Sequence, residues 1–366
     1  MDLVTGARRA TDEFDTGQVN RTGSAARRVL YLDMNVWVEM ARGLKHADPG
    51  WRQLRDRLVE GTEDGTLAVP LSPAHYLELW HRRDAASRED IARVMRDVTH
   101  YATIPSPHLI RQREAQALVR TWAGAGADPL GNESPIVGRG AAHAFGRPTG
   151  RFRFVTSVAS ADGTRSEGPA APAPDWAEFR NHPEFEWLQL AGHPELLAAE
   201  EGLDRAPEHR FGSGELQREL ALRENLRRNP LTGARLHDLI VAQEFESIRE
   251  YIEEVCIAER VPVPLSLRTN SWGADSKSAV KSLVEALPSA NAWSTLRYHK
   301  HRDLNLPWEQ HDWTDLWALS VAIPYCDVVV TEKRWTHLAK MGGLDQRFGT
   351  EIGSGRSLLE RALARP

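Results

Sequence analysis

Three short apolar runs stand out against a mostly polar chain, and each has an acid at its end or on the helix that follows it. Val29-Leu30-Tyr31-Leu32 stops at Asp33-Met34-Asn35, after which Val36-Trp37-Val38-Glu39-Met40 suits a helix. Leu67-Ala68-Val69-Pro70-Leu71 is followed by Ser72-Pro73 and AHYLELWHRR. Ser72 reads there as an N-cap and Pro73 as the first helical residue, with Glu78 a turn further on. Near the C-terminus, Trp313 to Ile323 is nearly all apolar, which suits a buried helix that Pro324 is expected to end. Asp327 then leads into Val328-Val329-Val330, with Thr331-Glu332 at the end of the run. Runs this brief and without alternation predict strands buried on both faces, as in a parallel sheet.

The rest of the chain divides around these runs. Residues 1–27 are polar and Gly/Ser/Thr-rich without periodicity, which predicts a disordered tail. Residues 28–106 and 290–366 carry the strand-and-acid pattern, and 107–289 read as a mainly helical insertion with Gly/Pro-rich loops from Ala123 to about Asp175. Within it, LHDLIVAQEFESIREYIEEVCIAER marks one apolar helical face, and RFRFVTSV alternates like a strand or hairpin arm. His143 lies in the Gly-rich part, either reaching an active site or solvated in a loop. Ser87 with Asp90 reads as a capping box. The fold class expected is α/β: a three-layer α/β/α arrangement with a central, mainly parallel sheet, plus the helical insertion.

Composition narrows the functional classes. The 366 residues are enough for a large core, and a net charge of −5 gives no global basic field for nucleic acid. Positive charge is carried mostly by Arg, which suits phosphate forks but also follows from a GC-rich genome. Two cysteines, Cys256 and Cys326, make neither a disulfide framework nor a Cys/His zinc site. With no secretory leader and no long apolar run, a cytoplasmic location is expected.

If the three strands lie side by side, Asp33, Glu78, Asp315 and Glu332 converge. Four carboxylates repel unless a divalent cation neutralises them, so the pattern points to a metal site. Plainer readings exist: Asp33 as a cap of the Val36 helix, Asp312 as an N-cap with Asp315 closing its box, and Glu78 paired with Arg82. Just upstream, NAWSTLRYHKHRDLNLPW interleaves Arg297, His299, Lys300, His301 and Arg302 with Trp293, Tyr298 and Trp308. Basic groups for phosphates and aromatics for stacking are what a single-stranded nucleic acid needs, although a surface helix with packed aromatics reads similarly.

Together these residues resemble PIN-domain nucleases, over roughly half of the chain (about Arg28–Pro105 and Ala290–Pro366). The matching features are a first strand ending in Asp-x-Asn (Asp33, Asn35), a Glu on the helix after the second strand (Glu78), an acid opening a later helix (Asp315), and a following strand ending in Thr with an acid (Thr331, Glu332). Glu332 departs from the more usual Asp, and Asp312 and Asp327 offer competing carboxylates. The resemblance implies a metal-dependent endonuclease, RNA being the substrate expected before DNA, with Mg²⁺ or Mn²⁺ held by Asp33, Glu78, Asp315 and Glu332, and with Asp312 as a further ligand. Asn35 and Thr331 would orient the ligands, and Arg297, His299, Lys300, Arg302 and Trp308 would bind the nucleic acid. It also allows a toxin ribonuclease with an antitoxin or other regulatory partner, a homodimer, or an inactive scaffold that binds RNA or protein.

Overall fold

The computed structural model describes residues 27–82, 84–124, 136–152, 155–159, 165–170, 184–192, 212–264 and 274–364. Apart from Arg27, the tail expected over residues 1–27 lies outside them, as does part of the Gly/Pro-rich connection. The described chain is mostly helical around a small parallel sheet of four strands. In chain order these are β1 (Arg28–Leu32), β2 (Leu67–Ala68), then, past two-stranded side ribbons, β7 (Val328–Val330) and β8 (Glu351–Gly353). Their order in space is β2-β1-β7-β8, with Leu30, Tyr31 and Leu32 opposite Val328, Val329 and Val330. The ribbons are β3 (Ala102–Thr103) with β4 (Gly138–Arg139), and β5 (Val155–Ala159) with β6 (Arg165–Ala170), both antiparallel. The second contains the arm expected from RFRFVTSV.

The lack of alternation in the apolar runs has a packing cause. Successive strand residues face opposite sides of a sheet. Leu30, Leu32, Val328 and Val330 enter one apolar cluster with Trp37, Met40, Leu58 and Leu359. Tyr31, Val329 and Ile352 enter another with Leu316, Leu319 and Trp335. With an apolar cluster against each face, every position of a central strand is apolar. The 67–71 run pairs with β1 only at Leu67 and Ala68. Leu71 instead bridges to Thr103, donating its N–H to Ala102 O (2.8 Å) and accepting from Ile104 N (2.8 Å). Pro70 between them has no N–H to offer a ladder.

Two local expectations are corrected. The C-terminal apolar helix spans Gln310–Tyr325, so Pro324 lies inside it. Proline forfeits one hydrogen bond to the carbonyl four residues back, and in the last turn the helix tolerates that loss; Cys326 N–H still reaches Ala322 O at 2.9 Å. The helix containing Ser87 begins at Ala85, and its cap is Asp84, whose carboxylate accepts from Ser87 N–H at 2.7 Å.

Helices Pro107–Trp122, Ala234–Ala258 and Ala274–Ala286 share a separate core around Val119, Phe245, Ile248, Ile252 and Val284. Helix Pro288–Arg302 joins it to the sheet: Ala290 enters this core, while Trp293 and Leu296 enter the sheet's. Among the described residues no helix is long and apolar enough to cross a membrane.

Candidate functional site

The acids gather where β1 and β7 end. Asp33 follows β1 directly, with its N–H on Val330 O (2.9 Å), and caps helix Met34–Lys45. One carboxylate oxygen accepts from Met34 N–H (2.8 Å) and the other from the Thr331 hydroxyl (2.6 Å). The cap reading of Asp33 therefore holds. Glu332 is the N-cap of helix Lys333–Met341, and its Oε1 accepts from Asn35 Nδ2 at 2.9 Å. Asp315, on the Gln310–Tyr325 helix, accepts from Trp335 Nε1 at 2.8 Å. Glu78 is half-buried on helix Pro73–His81. No described residue hydrogen-bonds its carboxylate, so the exposed Glu78–Arg82 pair is not what forms.

The four carboxylates lie close enough for their charges to act on one another. Burial pushes Glu78 up to about 8, with the charges of Asp33 and Glu332 adding to it and Arg82 only partly opposing. Burial likewise raises Asp315 well above the carboxylate range, helped by Asp33, Glu78 and Glu332 and opposed by the Trp335 N–H. Asp33 is raised by burial and by Glu332, against the hydrogen bonds from Thr331 and Met34. Burial and the charges of Asp33, Glu78 and Asp315 also push the Tyr31 phenol well above its usual range. Such mutual raising is the signature of carboxylates short of counter-charge. The donors are hard oxygens, which is the chemistry Mg²⁺ and Mn²⁺ prefer. Among the described residues, however, no three His, Cys, Asp or Glu side chains are grouped tightly enough to hold an ion. The donor chemistry fits a divalent cation, but the spacing is not that of a closed chelate.

Asp312 does not join this group. It is fully buried at the third position of its helix, where its Oδ2 accepts from Glu309 N–H (2.7 Å) and closes a capping box with Glu309 as the cap. The box thus lies three residues upstream of the expected one. Lys300 Nζ is 2.9 Å from the same oxygen, and Arg334 bonds the other. With both oxygens taken by cations and backbone, Asp312 is a structural acid rather than a further ligand.

The basic–aromatic segment is corrected more broadly. Arg297, His299, Lys300, His301 and Trp308 are buried, and of the basic residues only Arg302 is exposed. Arg297 and His301 clasp Glu219 at 2.8 and 2.7 Å. Burial alone would raise Glu219, but these two partners hold it below the usual range. Lys300 Nζ lies 4.8 Å over the Trp308 ring and 5.2 Å over that of Trp335. The cations are occupied with acids and rings inside the protein, so they do not form the expected nucleic-acid surface. His143 is likewise engaged, with its Nδ1 2.8 Å from the Thr103 hydroxyl on a short helix, Gly140–Phe145.

Three residues around the site went unread in the sequence. Trp335 holds Asp315, while Trp37 Nε1 (3.0 Å) and His75 Nε2 (2.9 Å) both meet the Leu32 carbonyl just before Asp33. The signal for His75 was its place three residues after Ser72, at the third helical position where a side chain can reach back to the cap. No protein-family model, curated protein or solved structure matches this chain.

Proposed function

We propose that the chain is a PIN-like, metal-dependent endonuclease of α/β/α fold, hydrolysing phosphodiester bonds, with RNA as the substrate class. The observation that carries the reading is the set of four acids, Asp33 and Glu332 at the ends of β1 and β7 and Glu78 and Asp315 on helices, three of which (Asp33, Glu78 and Asp315) are raised by burial and by neighbouring carboxylates. A site left so under-neutralised is arranged for a ligand of positive charge. Asp33, Glu78, Asp315 and Glu332 would hold Mg²⁺ or Mn²⁺, a hard cation that commonly keeps several waters in its shell. When bound, the ion lowers the pKa of water and offsets charge on the phosphate. Thr331 fixes one oxygen of Asp33, and Asn35 fixes one of Glu332, which limits the rotamers these acids can take. Glu78, which holds its proton near neutrality without metal, would release it on ligating the ion. Toxin or regulatory use of the same chemistry, with an antitoxin or a second copy as partner, remains within this reading. An inactive scaffold is the competing one, and the unrelieved acids argue against it.

The test is calorimetric titration of Mn²⁺ into the full chain, paired with cleavage of a labelled single-stranded RNA. Binding and cutting that both vanish in Asp33→Asn and in excess EDTA support the proposal. Cutting that persists without metal, or no Mn²⁺ binding by the wild-type chain, would sink it.

A further inference from the structure

We infer that His75 is a positioning residue of this site, one imidazole that ties the strand end delivering Asp33 to the helix delivering Glu78. The inference rests on the metal-site reading above. The sheet does not make this link itself. Pairing between β1 and β2 ends at Val29 with Ala68, and beyond it the chain turns to Thr103 through Leu71. Among the described residues no backbone bond joins 69–73 to 30–33. The Leu32 carbonyl is therefore open toward the Glu78 helix, and His75 fills the gap.

The ring's proton arrangement is fixed by its neighbours. Ser72 N–H points at Nδ1 at 2.8 Å, so Nδ1 must be the acceptor nitrogen. The proton then sits on Nε2, which donates to Leu32 O at 2.9 Å. Burial holds the His75 pKa down to about 4, so the neutral ring keeps both roles near neutrality. Tyr31 braces the arrangement: its ring centroid is 5.3 Å from that of His75, and its hydroxyl lies 3.2 Å from the Ser72 hydroxyl. Because the peptide unit is planar, orienting the Leu32 carbonyl also orients the N–Cα bond of Asp33. Three residues after His75, on the same side of the helix, comes Glu78. Trp37 Nε1 shares the Leu32 carbonyl at 3.0 Å from its own side, but of the two donors His75 is the one on the Glu78 helix, so it links where one acid stands to where the other does.

Two substitutions separate this role from simple packing. In His75→Gln, the amide oxygen can accept from Ser72 and the NH₂ can donate to Leu32, at a spacing close to that of the two imidazole nitrogens. His75→Leu fills the space and makes neither bond. Mn²⁺ affinity of the full chain is measured by calorimetry, and thermal unfolding is followed in EDTA. Loss of an outer partner of a ligand set costs on the order of 10–100-fold in metal affinity, so His75→Leu should weaken Mn²⁺ binding by that factor and His75→Gln should recover most of it. Wild-type affinity in His75→Leu overturns the inference while leaving the metal reading intact. A wild-type chain that binds no Mn²⁺ overturns both. Should His75→Leu fail to fold, nitrogen-15 chemical shifts of the wild-type imidazole decide: a protonated Nδ1 overturns the proposed arrangement, and a bare Nδ1 with protonated Nε2 together with near-normal Mn²⁺ affinity in His75→Gln supports it.

Discussion

Asp312 and Asp315 lie one turn apart on the same helix, are both less than a tenth exposed, and live in opposite electrostatic worlds. Asp312 has two cations and a backbone N–H on its oxygens. Asp315 has one indole N–H and three neighbouring carboxylates. Burying a charge is costly unless it is paired, and a fold that leaves acids unpaired gives up stability at that place. The difference is one of pairing: Asp312 has its partners inside the protein, whereas on the proposed metal-site reading the partner of Asp315 comes from outside.

The largest effect should come from breaking the paired side. Asp312→Asn leaves fully buried Lys300 without its counter-charge and takes one of two acids from half-buried Arg334, and a loss of about 3–5 kcal/mol in urea-induced unfolding is expected. The same change at Asp315 should do the reverse. Asp315→Asn relieves repulsion, so the metal-free melting temperature should hold or rise while Mn²⁺ binding and RNA cleavage fall by roughly 100-fold or more. A destabilised but fully active Asp315→Asn protein would mean that the two acids do not differ in kind.

A smaller effect follows from pH. Glu78 has its folded pKa raised to about 8 from an ordinary value of 4.5, so the folded chain binds more protons than the unfolded one between those values. Metal-free stability should therefore fall as pH rises across that window, by about 1–2 kcal/mol once solvent access is allowed for. Glu78→Gln should flatten the fall, and saturating Mn²⁺ should reverse it. Stability that rises over this range, or is unchanged by Glu78→Gln, would contradict the shared-repulsion account. The smallest effect belongs to the exposed cation. Arg302→Ala should change the salt dependence of RNA binding by a slope of at most about one, measured in Ca²⁺, because its basic neighbours are inside the protein. A larger change would return this segment to the substrate path.

Some of this was legible without tertiary structure. The buried strands at Val29–Leu32 and Val328–Val330 announced themselves because a strand covered on both faces has no polar positions. The helix starting at Pro73 was written in local capping chemistry, which depends only on neighbours in the chain. Helix Gln310–Tyr325 was legible in its middle, but its last turn outlasted Pro324 because tertiary packing outweighed one lost hydrogen bond.

The sequence by itself determined which acids stand at strand ends, since an apolar run followed by Asp or Glu fixes both the element and the place of the charge along it. Only the tertiary structure decided which charges would find partners. Arg297, Lys300 and Trp308 look like a surface when read in one dimension, because composition carries no information about what faces them. Glu219 comes from 82 residues before His301, and Asp312 from the adjoining helix. Neither pairing follows from any local rule. The same holds for His75, whose bond to Leu32 spans 43 residues and exists because two chain segments that share no ladder end side by side.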